Sequence, residues 1–169
     1  MKTSFAIGIS LLLLAHEGIA QQITNRLINY PAFLENARQA NAVRESRRLT
    51  EHQFLQAMAE PGIVLLDARS AAKFKLRHLQ GAVNLSLPDF TADELAKMIP
   101  TKNTKVLIYC NNNFLGSPVS FPSKAPGASL NISTFVNLTT YGYTNVYELG
   151  PLVDVKTTKL PFEGTEILK

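Results

Sequence analysis

The residue of this sequence best suited to chemistry is its single cysteine, Cys110. A lone thiol excludes an intramolecular disulfide, a structural zinc site built from several cysteines and a CxxC redox pair. It is either a nucleophile or an incidental small side chain in the core, which is a common place for cysteine. Asn111, Asn112 and Asn113 follow it directly. Because Asn and Gly tolerate left-handed backbone, this run predicts a turn whose N–H groups point towards a thiolate.

The elements around Cys110 predict where this thiol lies. Cys110 follows the apolar run Val106–Tyr109 and opens a long loop over residues 111–128. Further strands are predicted at Ile63–Leu66, Val83–Leu85 and Asn145–Glu148, with helices at Thr50–Met58, Ser70–Leu76, Thr91–Met98 and Leu130–Tyr141. This alternation predicts an α/β domain with a parallel sheet and helices on both faces. Ligands of such sheets bind where strands end, which is where Cys110 lies.

The first twenty residues have the pattern of a secretory signal peptide. Lys2 precedes the apolar run Phe5–Ala15, and small residues lead to a cleavage point after Ala20. The run is shorter than the roughly 20 residues that a bilayer span needs. We therefore expect residues 1–20 to be removed and the mature chain to be exported, as a periplasmic or secreted protein without stable membrane insertion.

Residues 21–48 predict an N-terminal helical extension of the α/β domain. Pro31 is expected to separate a short first piece from the main helix. An apolar stripe should pack this extension on the domain, through Leu27, Phe33, Leu34, Ala37, Ala40 and Val43. At its end, Arg44, Arg47 and Arg48 suit the negative end of a helix dipole, and we interpret them as a solvated cluster rather than an anion site.

Composition limits the partners of the chain. Its hydrophobic fraction of 46% and charged fraction of 18% are those of a globular protein. A net charge of +4 is too diffuse to indicate nucleic acid. With three histidines and one cysteine, we expect no metal site and no cofactor.

Five segments carry motifs in a consistent order along the chain. They are Val64–Ser70 (a strand, then Asp-x-Arg), His78–Asn84 (His-Leu-Gln-Gly-Ala-Val-Asn), Val106–Cys110 (a strand and cysteine), Tyr141–Gly150 (with Asn-Val) and Leu160–Gly164 (Leu-Pro-Phe-Glu-Gly). Together these motifs resemble the rhodanese-like sulfurtransferases. The resemblance runs from Leu49 to Gly164, which predicts a rhodanese-like domain over residues 49–164.

The resemblance implies that Cys110 accepts a sulfane sulfur from thiosulfate or a persulfide and passes it to a thiol or another nucleophile. The partner would be a small sulfur-containing anion or a protein persulfide or thiol. Candidate substrate-binding residues follow the cysteine: Asn111, Asn112, Asn113, Phe114, Leu115, Gly116, Ser117 and Lys124. Phe114 and Leu115 would shield the pocket or meet an apolar acceptor. Structural support is expected from Asp67, Arg69 and His78, through a capped turn, an ion pair and a backbone hydrogen bond.

The sequence also departs from the family pattern. Family members that transfer sulfur usually have a short loop after the cysteine, often closing with Arg-Ser, whereas no Arg follows Cys110 here and no Trp is present. Lys124 is the only charged residue of loop 111–128 that could replace that cation. An alternative is therefore a catalytically inactive binding module that uses this loop as an interaction surface. A phosphatase sharing the fold is disfavoured, since Gly116 stands where such an enzyme needs Arg.

Overall fold

The computed structural model describes residue 23 and residues 25–167, so the predicted signal peptide lies outside the described residues. The helices are α1 (Tyr30–Arg44), α2 (Glu51–Met58), α3 (Ala71–Leu76), α4 (Ala92–Met98) and α5 (Leu130–Thr140). The strands are β1 (Arg48–Leu49), β2 (Val64–Asp67), β3 (His78–Leu79), β4 (Val83–Asn84), β5 (Val106–Tyr109), β6 (Phe114–Leu115), β7 (Val146–Leu149), β8 (Val153–Asp154) and β9 (Phe162–Glu163). Within the described part of the chain, no helix is both long and apolar enough to cross a membrane.

A five-stranded sheet with the order β1-β7-β5-β2-β4 forms the centre of the fold. Every neighbouring pair in it is parallel, and β2 pairs with β5 from Val64 opposite Val106 to Asp67 opposite Tyr109. The predicted parallel α/β sheet is confirmed. Two short pairs lie outside it, β3 with β9 and β6 with β8.

Helices cover both faces of the sheet, as predicted. Along β5, Val106 and Ile108 join one apolar cluster, whereas Leu107 and Tyr109 join the other. Helices α1, α4 and α5 contribute side chains to the first cluster, and α2 contributes to the second. Because side chains alternate between two buried faces, every position of such a strand must be compatible with the core. This explains why the central strands are continuous apolar runs.

Helix α1 packs on α5 through small residues rather than through the whole predicted stripe. Ala40 is buried and Ala37 is partly buried against the first apolar cluster, while Asn36 Nδ2 donates to Thr140 Oγ1 at 3.1 Å. The expected packing is wrong for four exposed side chains: Leu27, Phe33, Leu34 and Val43. Residues 26 and 27 form a turn, and Pro31 lies in the first turn of α1.

A buried ion pair lies at the end of β2. Asp67 and Arg69 are 0% and 2% exposed, and Arg69 Nη2 lies 2.5 Å from Asp67 Oδ2. Tyr109 Oη donates to the same oxygen at 2.6 Å. Burial and the neighbouring Asp67 carboxylate raise the pKa of Tyr109 well above its usual value, which keeps its hydroxyl proton available to Asp67.

The remaining donors of Arg69 reach into other parts of the chain. Its Nη1 donates to Ser120 O at 2.9 Å and its Nη2 to Arg77 O at 2.8 Å. One guanidinium thereby joins the end of β2 to the loop after β5 and to the end of α3. Asp67 Oδ1 also accepts from the backbone N–H of Arg69 at 2.9 Å, which is the turn cap expected from the sequence.

We predict that Arg69→Met lowers the free energy of unfolding by about 3–5 kcal/mol, because it leaves the Asp67 carboxylate buried without its cation. Urea denaturation followed by circular dichroism measures this loss. Arg38→Met is the matched control, since Arg38 pairs with Glu35 on the exposed surface of α1 and its removal should leave stability close to wild type. Equal losses in the two variants would contradict the importance of the buried pair.

Candidate functional site

Cys110 follows the last residue of β5, and its side chain is buried. Asn111–Asn113 form a single 3-10 turn in which the backbone N–H of Asn113 donates to the carbonyl oxygen of Cys110 at 3.2 Å and lies against its Sγ in a capping-box arrangement. A backbone donor therefore does point at the sulfur. The expected left-handed conformation of the asparagines is wrong, because within residues 25–167 only glycines have positive φ. A right-handed 3-10 turn already brings its third N–H back to the residue that precedes the turn, here Cys110.

Helix α5 begins beside the same sulfur. Ser129 is its N-cap residue, and Ser129 Oγ lies 3.4 Å from Cys110 Sγ. The N-terminus of a helix carries a partial positive charge, which favours an anion. The hydroxyl of Ser129 and the N–H of Asn113 can therefore both donate to a thiolate or to a persulfide anion.

Asn113 holds the turn in place. Its Oδ1 accepts from the N–H of Cys110 at 2.9 Å and from Asn131 Nδ2 at 3.1 Å. Its Nδ2 donates to the carbonyl oxygens of Leu149 at 2.8 Å and Pro151 at 3.2 Å. Asn113 is thus placed by the structure as a support of the cysteine, linking the turn after β5 to α5 and to the end of β7.

A cavity of about 220 Å³ opens beside Cys110. Polar and charged side chains line it together with the cysteine: Arg44, Arg48, Asn112, Asn113, Ser129, Asn131 and Glu148. Arg48 and Gly150 also line an adjoining groove of about 610 Å³. The thiol therefore faces a polar space whose rim continues into a larger surface groove.

Three charged groups of this cavity form an ion-pair cluster. Arg44 Nη2 lies 2.6 Å from Glu148 Oε1, and Arg48 Nε lies 3.2 Å from the same oxygen. Glu148 is 1% exposed, and burial raises the pKa of its carboxyl, although the guanidinium of Arg44 and then that of Arg48 act in the opposite direction. Arg48 stands directly opposite Glu148 in the β1–β7 pairing, which explains their contact.

The expectation of a solvated basic cluster is therefore wrong for Arg44, whose side chain is 25% exposed, whereas Arg48, at 38%, stays at the surface although it contacts the same carboxylate. Arg47 points away from Glu148, because its guanidinium stacks on the ring of Tyr147 at 4.6 Å from the ring centroid. The sequence held two signals of the true arrangement. One is the basic cluster itself, and the other is Glu148, an acidic residue inside an otherwise apolar strand.

Asn111, Asn112 and Lys124 close the loop upon itself. Asn111 Nδ2 donates to Pro122 O at 2.7 Å, and the side chain of Asn112 exchanges two hydrogen bonds with the backbone of Lys124, at 2.8 and 3.0 Å. Of the three, Asn112 alone lines the Cys110 cavity, whereas Asn111 and Lys124 line a separate cavity of about 350 Å³ that includes Arg69. The structure does not bring Lys124 to the cavity of the thiol.

Phe114 and Leu115 lie away from the thiol pocket. Phe114 is 2% exposed in the second apolar cluster, with its ring centroid 4.4 Å from that of Phe121. Leu115, the other residue of β6, is half-exposed at the surface. The structure therefore gives Phe114 a place in the core instead of the expected place over the pocket, because β6 pairs with β8 on that side of the sheet.

Gly116 and Ser117 fix the course of the loop. Gly116 has φ +82°, and a Cβ there would lie 2.7 Å from Asp154 Oδ1, so only glycine fits this turn. Ser117 Oγ and Ser120 Oγ donate to Glu166 Oε2 at 3.1 and 2.5 Å. These bonds, that of Ser120 foremost, lower the pKa of Glu166. Neither Gly116 nor Ser117 lines the Cys110 cavity.

His78 supports the turn after α3. Its Nδ1 lies 2.8 Å from Phe74 O, its ring stacks on that of Phe74 at 3.7 Å, and its Nε2 lies 3.5 Å from Glu163 Oε2. The expected backbone hydrogen bond is present. Across the described residues, no group of three or more His, Cys, Asp or Glu side chains is placed to hold a metal ion.

Comparison with known proteins gives one consistent result. A family model described as the rhodanese-like domain matches residues 50–150. The chain is 28% identical over 95 residues to thiosulfate sulfurtransferase PspE of Escherichia coli, which covers 56% of this chain and 76% of that protein.

Solved structures agree on the fold. A protein from Bacillus halodurans has a TM-score of 0.54 at 17% identity, with 79% of this chain and 88% of that chain covered. A rhodanese-like domain from Anabaena sp. has a TM-score of 0.51 at 21% identity, covering 72% and 81%. At these identities the likeness establishes the fold alone.

We predict that Asn113→Ala raises the alkylation rate of Cys110 by iodoacetamide about tenfold or more, because the variant loses several buried hydrogen bonds worth about 1 kcal/mol each. Mass spectrometry of timed samples measures this rate. Asn145→Ala is the control, since its side chain bonds Asn103 O outside the loop. An unchanged rate in Asn113→Ala would contradict the role of Asn113 in closing the turn.

Proposed function

The chain belongs to the rhodanese-like family, since the model of that domain matches more than half of the chain, and it has a sulfurtransferase-like role. We propose that Cys110 carries the transferred sulfur. In this proposal the thiol accepts a sulfane sulfur from thiosulfate or a persulfide, holds it as a persulfide and passes it to a thiol or another nucleophilic acceptor. No cofactor is needed for such an exchange.

The first step is a nucleophilic substitution at sulfur. The Cys110 thiolate attacks the sulfane sulfur of thiosulfate, a new S–S bond forms, and the S–S bond of thiosulfate breaks. Sulfite leaves with the electron pair of that bond, and Cys110 retains a persulfide anion. With an alkyl persulfide donor, the leaving group is the alkyl thiolate, which takes up the proton of the donor.

The second step regenerates the thiolate. An acceptor thiolate attacks the outer sulfur of the Cys110 persulfide, and the Cys110 sulfur leaves as a thiolate. The acceptor departs as a persulfide. One cysteine is enough for this cycle because a single sulfur atom is carried at a time.

The proposal rests on which groups surround Cys110 Sγ. The N–H of Asn113 and the hydroxyl of Ser129 at the N-terminus of α5 lie against it. Both groups favour a negative charge on sulfur, which both steps require. The cavity of about 220 Å³ is several times the roughly 30 Å³ occupied by one liquid water, which leaves space for a small oxyanion.

The binding-module alternative has one observation in its favour. Cys110 is 1% exposed, so a donor must approach through the cavity beside it rather than from open solvent. Under that alternative, the exposed Leu115 and Val119 of loop 111–128 would meet a protein partner. Sulfur loading of Cys110 distinguishes the two functions.

We predict that incubation of the purified chain with thiosulfate, or with an alkyl persulfide, adds the mass of one sulfur atom at Cys110. Intact-mass and peptide mass spectrometry measure the addition, and a thiol acceptor should remove it. Cys110→Ser should take up no sulfur, because a hydroxyl does not form the persulfide. A free thiol that takes up no sulfur from either donor would contradict the proposal and favour the binding module.

We also propose that the protein acts outside the cytoplasm after removal of residues 1–20. N-terminal sequencing of the chain expressed in a secreting host should begin at Gln21, because small residues precede that bond. Ala20→Phe is the control and should block cleavage, since a large residue does not fit the cleavage pattern. A chain that keeps Met1 and stays in the cytosolic fraction would contradict export.

A further inference from the structure

The end of the N-terminal helix brings two arginines to the cavity of the thiol. We propose that Arg44 and Arg48 bind the oxyanion group of an anionic sulfur donor, such as the sulfonate end of thiosulfate, while its sulfane sulfur faces Cys110. This inference rests on the proposed sulfur transfer and names the donor class for that site. It also assigns the recognition to residues that precede the matched family region at 50–150.

The geometry around Glu148 resembles oxyanion binding. Arg44 approaches the carboxylate through Nη2 at 2.6 Å and Nε at 3.2 Å, and Arg48 approaches it through Nε at 3.2 Å. Guanidinium groups suit carboxylates and sulfur or phosphorus oxyanions alike, because their N–H donors form a planar fork. Glu148 therefore acts as an internal counter-ion that holds both guanidinium groups at the cavity.

Donors remain for a bound anion after this pairing. Within the described residues, the contacts of Arg44 to Glu148 use Nε and Nη2, which leaves the two N–H groups of Nη1. The Arg44 side chain is 25% exposed, so part of it remains open to solvent. Arg48 is held more firmly, because its Nη1 also pairs with Glu45 and its Nη2 donates to Gly150 O at 3.2 Å.

The charges of the cavity also favour an anion. Its lining holds two guanidinium groups and one carboxylate, so the lining carries one excess positive charge when Glu148 is ionised. Glu45, which pairs with Arg48 at 3.2 Å, lines the adjoining groove and not this cavity. Partly buried charges are screened less by water and salt than exposed ones, which strengthens their attraction for a small dianion. The same charge would stabilise sulfite as it leaves, because its negative charge remains at the arginines.

The loop offers no equivalent cation at this place. No arginine follows Cys110 in the sequence, Gly116 packs against Asp154, and Lys124 lines the other cavity. The positive charge beside the thiol therefore comes from the segment before β2. This gives the N-terminal extension a part in donor recognition.

The test compares two donors on the same variants of the full chain. Thiosulfate carries an oxyanion group, whereas 2-hydroxyethyl persulfide supplies sulfane sulfur without one. We expect Arg44→Gln and Arg48→Gln each to lower the rate constant for loading by thiosulfate about tenfold or more, as expected for a lost charged hydrogen bond. Loading by the persulfide should change by less than about threefold, which also shows that the variant is folded.

Three further variants sharpen the comparison. Arg38→Gln removes the same charge from the exposed surface of α1 and should leave both loading rates unchanged. Arg44→Lys keeps the charge but loses the fork, so its thiosulfate defect should be smaller than that of Arg44→Gln. Glu148→Gln removes the competing negative charge but keeps a side-chain oxygen that can accept from both guanidinium groups, so thiosulfate loading should become faster, a change opposite to that caused by structural damage.

The outcomes separate this inference from the proposed function. If the wild-type chain takes sulfur from neither donor, the proposed function fails. If it loads from both, but the Arg44 and Arg48 variants slow both donors equally or slow neither, the inference is overturned while sulfur transfer at Cys110 stands. If Lys124→Gln selectively loses thiosulfate loading while Arg44→Gln is unaffected, the oxyanion is bound by the loop, and the inference is also overturned.

Discussion

The buried Asp67–Arg69 pair is the constraint on which the surroundings of the site depend. Charges without partners are too costly to bury, so the Asp67 carboxylate must be met by the Arg69 guanidinium and the Tyr109 hydroxyl. The guanidinium then needs acceptors for its other N–H groups, which it finds at Ser120 O and Arg77 O. One electrostatic requirement thus ties the long loop after Cys110 to the central strand and to α3.

A second set of contacts, made through β7, connects the thiol to the N-terminal extension. Asn113 links the turn after β5 to the carbonyl groups of Leu149, the last residue of β7, and of Pro151 just after it, and Glu148 of β7 holds Arg44 and Arg48. Strand β7 lies between β5 and β1 in the sheet, so it connects the cysteine to the arginines by direct neighbours. The cysteine cavity is consequently built from three adjacent strands and from the helices that enter and leave them.

Much of the fold could be predicted because its signals are local. The Thr50–Gln53 capping box begins α2, and α5 begins at Leu130 as the pattern indicated. The site could be predicted less completely. The sequence placed Cys110 at a strand end that opens a long loop, yet the conformation of Asn111–Asn113, the burial of Phe114 and the position of Lys124 depend on how the loop packs.

The sequence by itself determined the α/β class, the rhodanese-like family and the place of the only thiol, since strand runs, helix caps and motif order are all readable within short windows. Tertiary structure alone decided which charges surround that thiol. Arg48 and Glu148 lie 100 positions apart in the chain and meet because β1 pairs with β7 in one register. Burial then makes the ion pair necessary for Glu148, because its carboxylate is 1% exposed and could not stay charged there without the guanidinium groups.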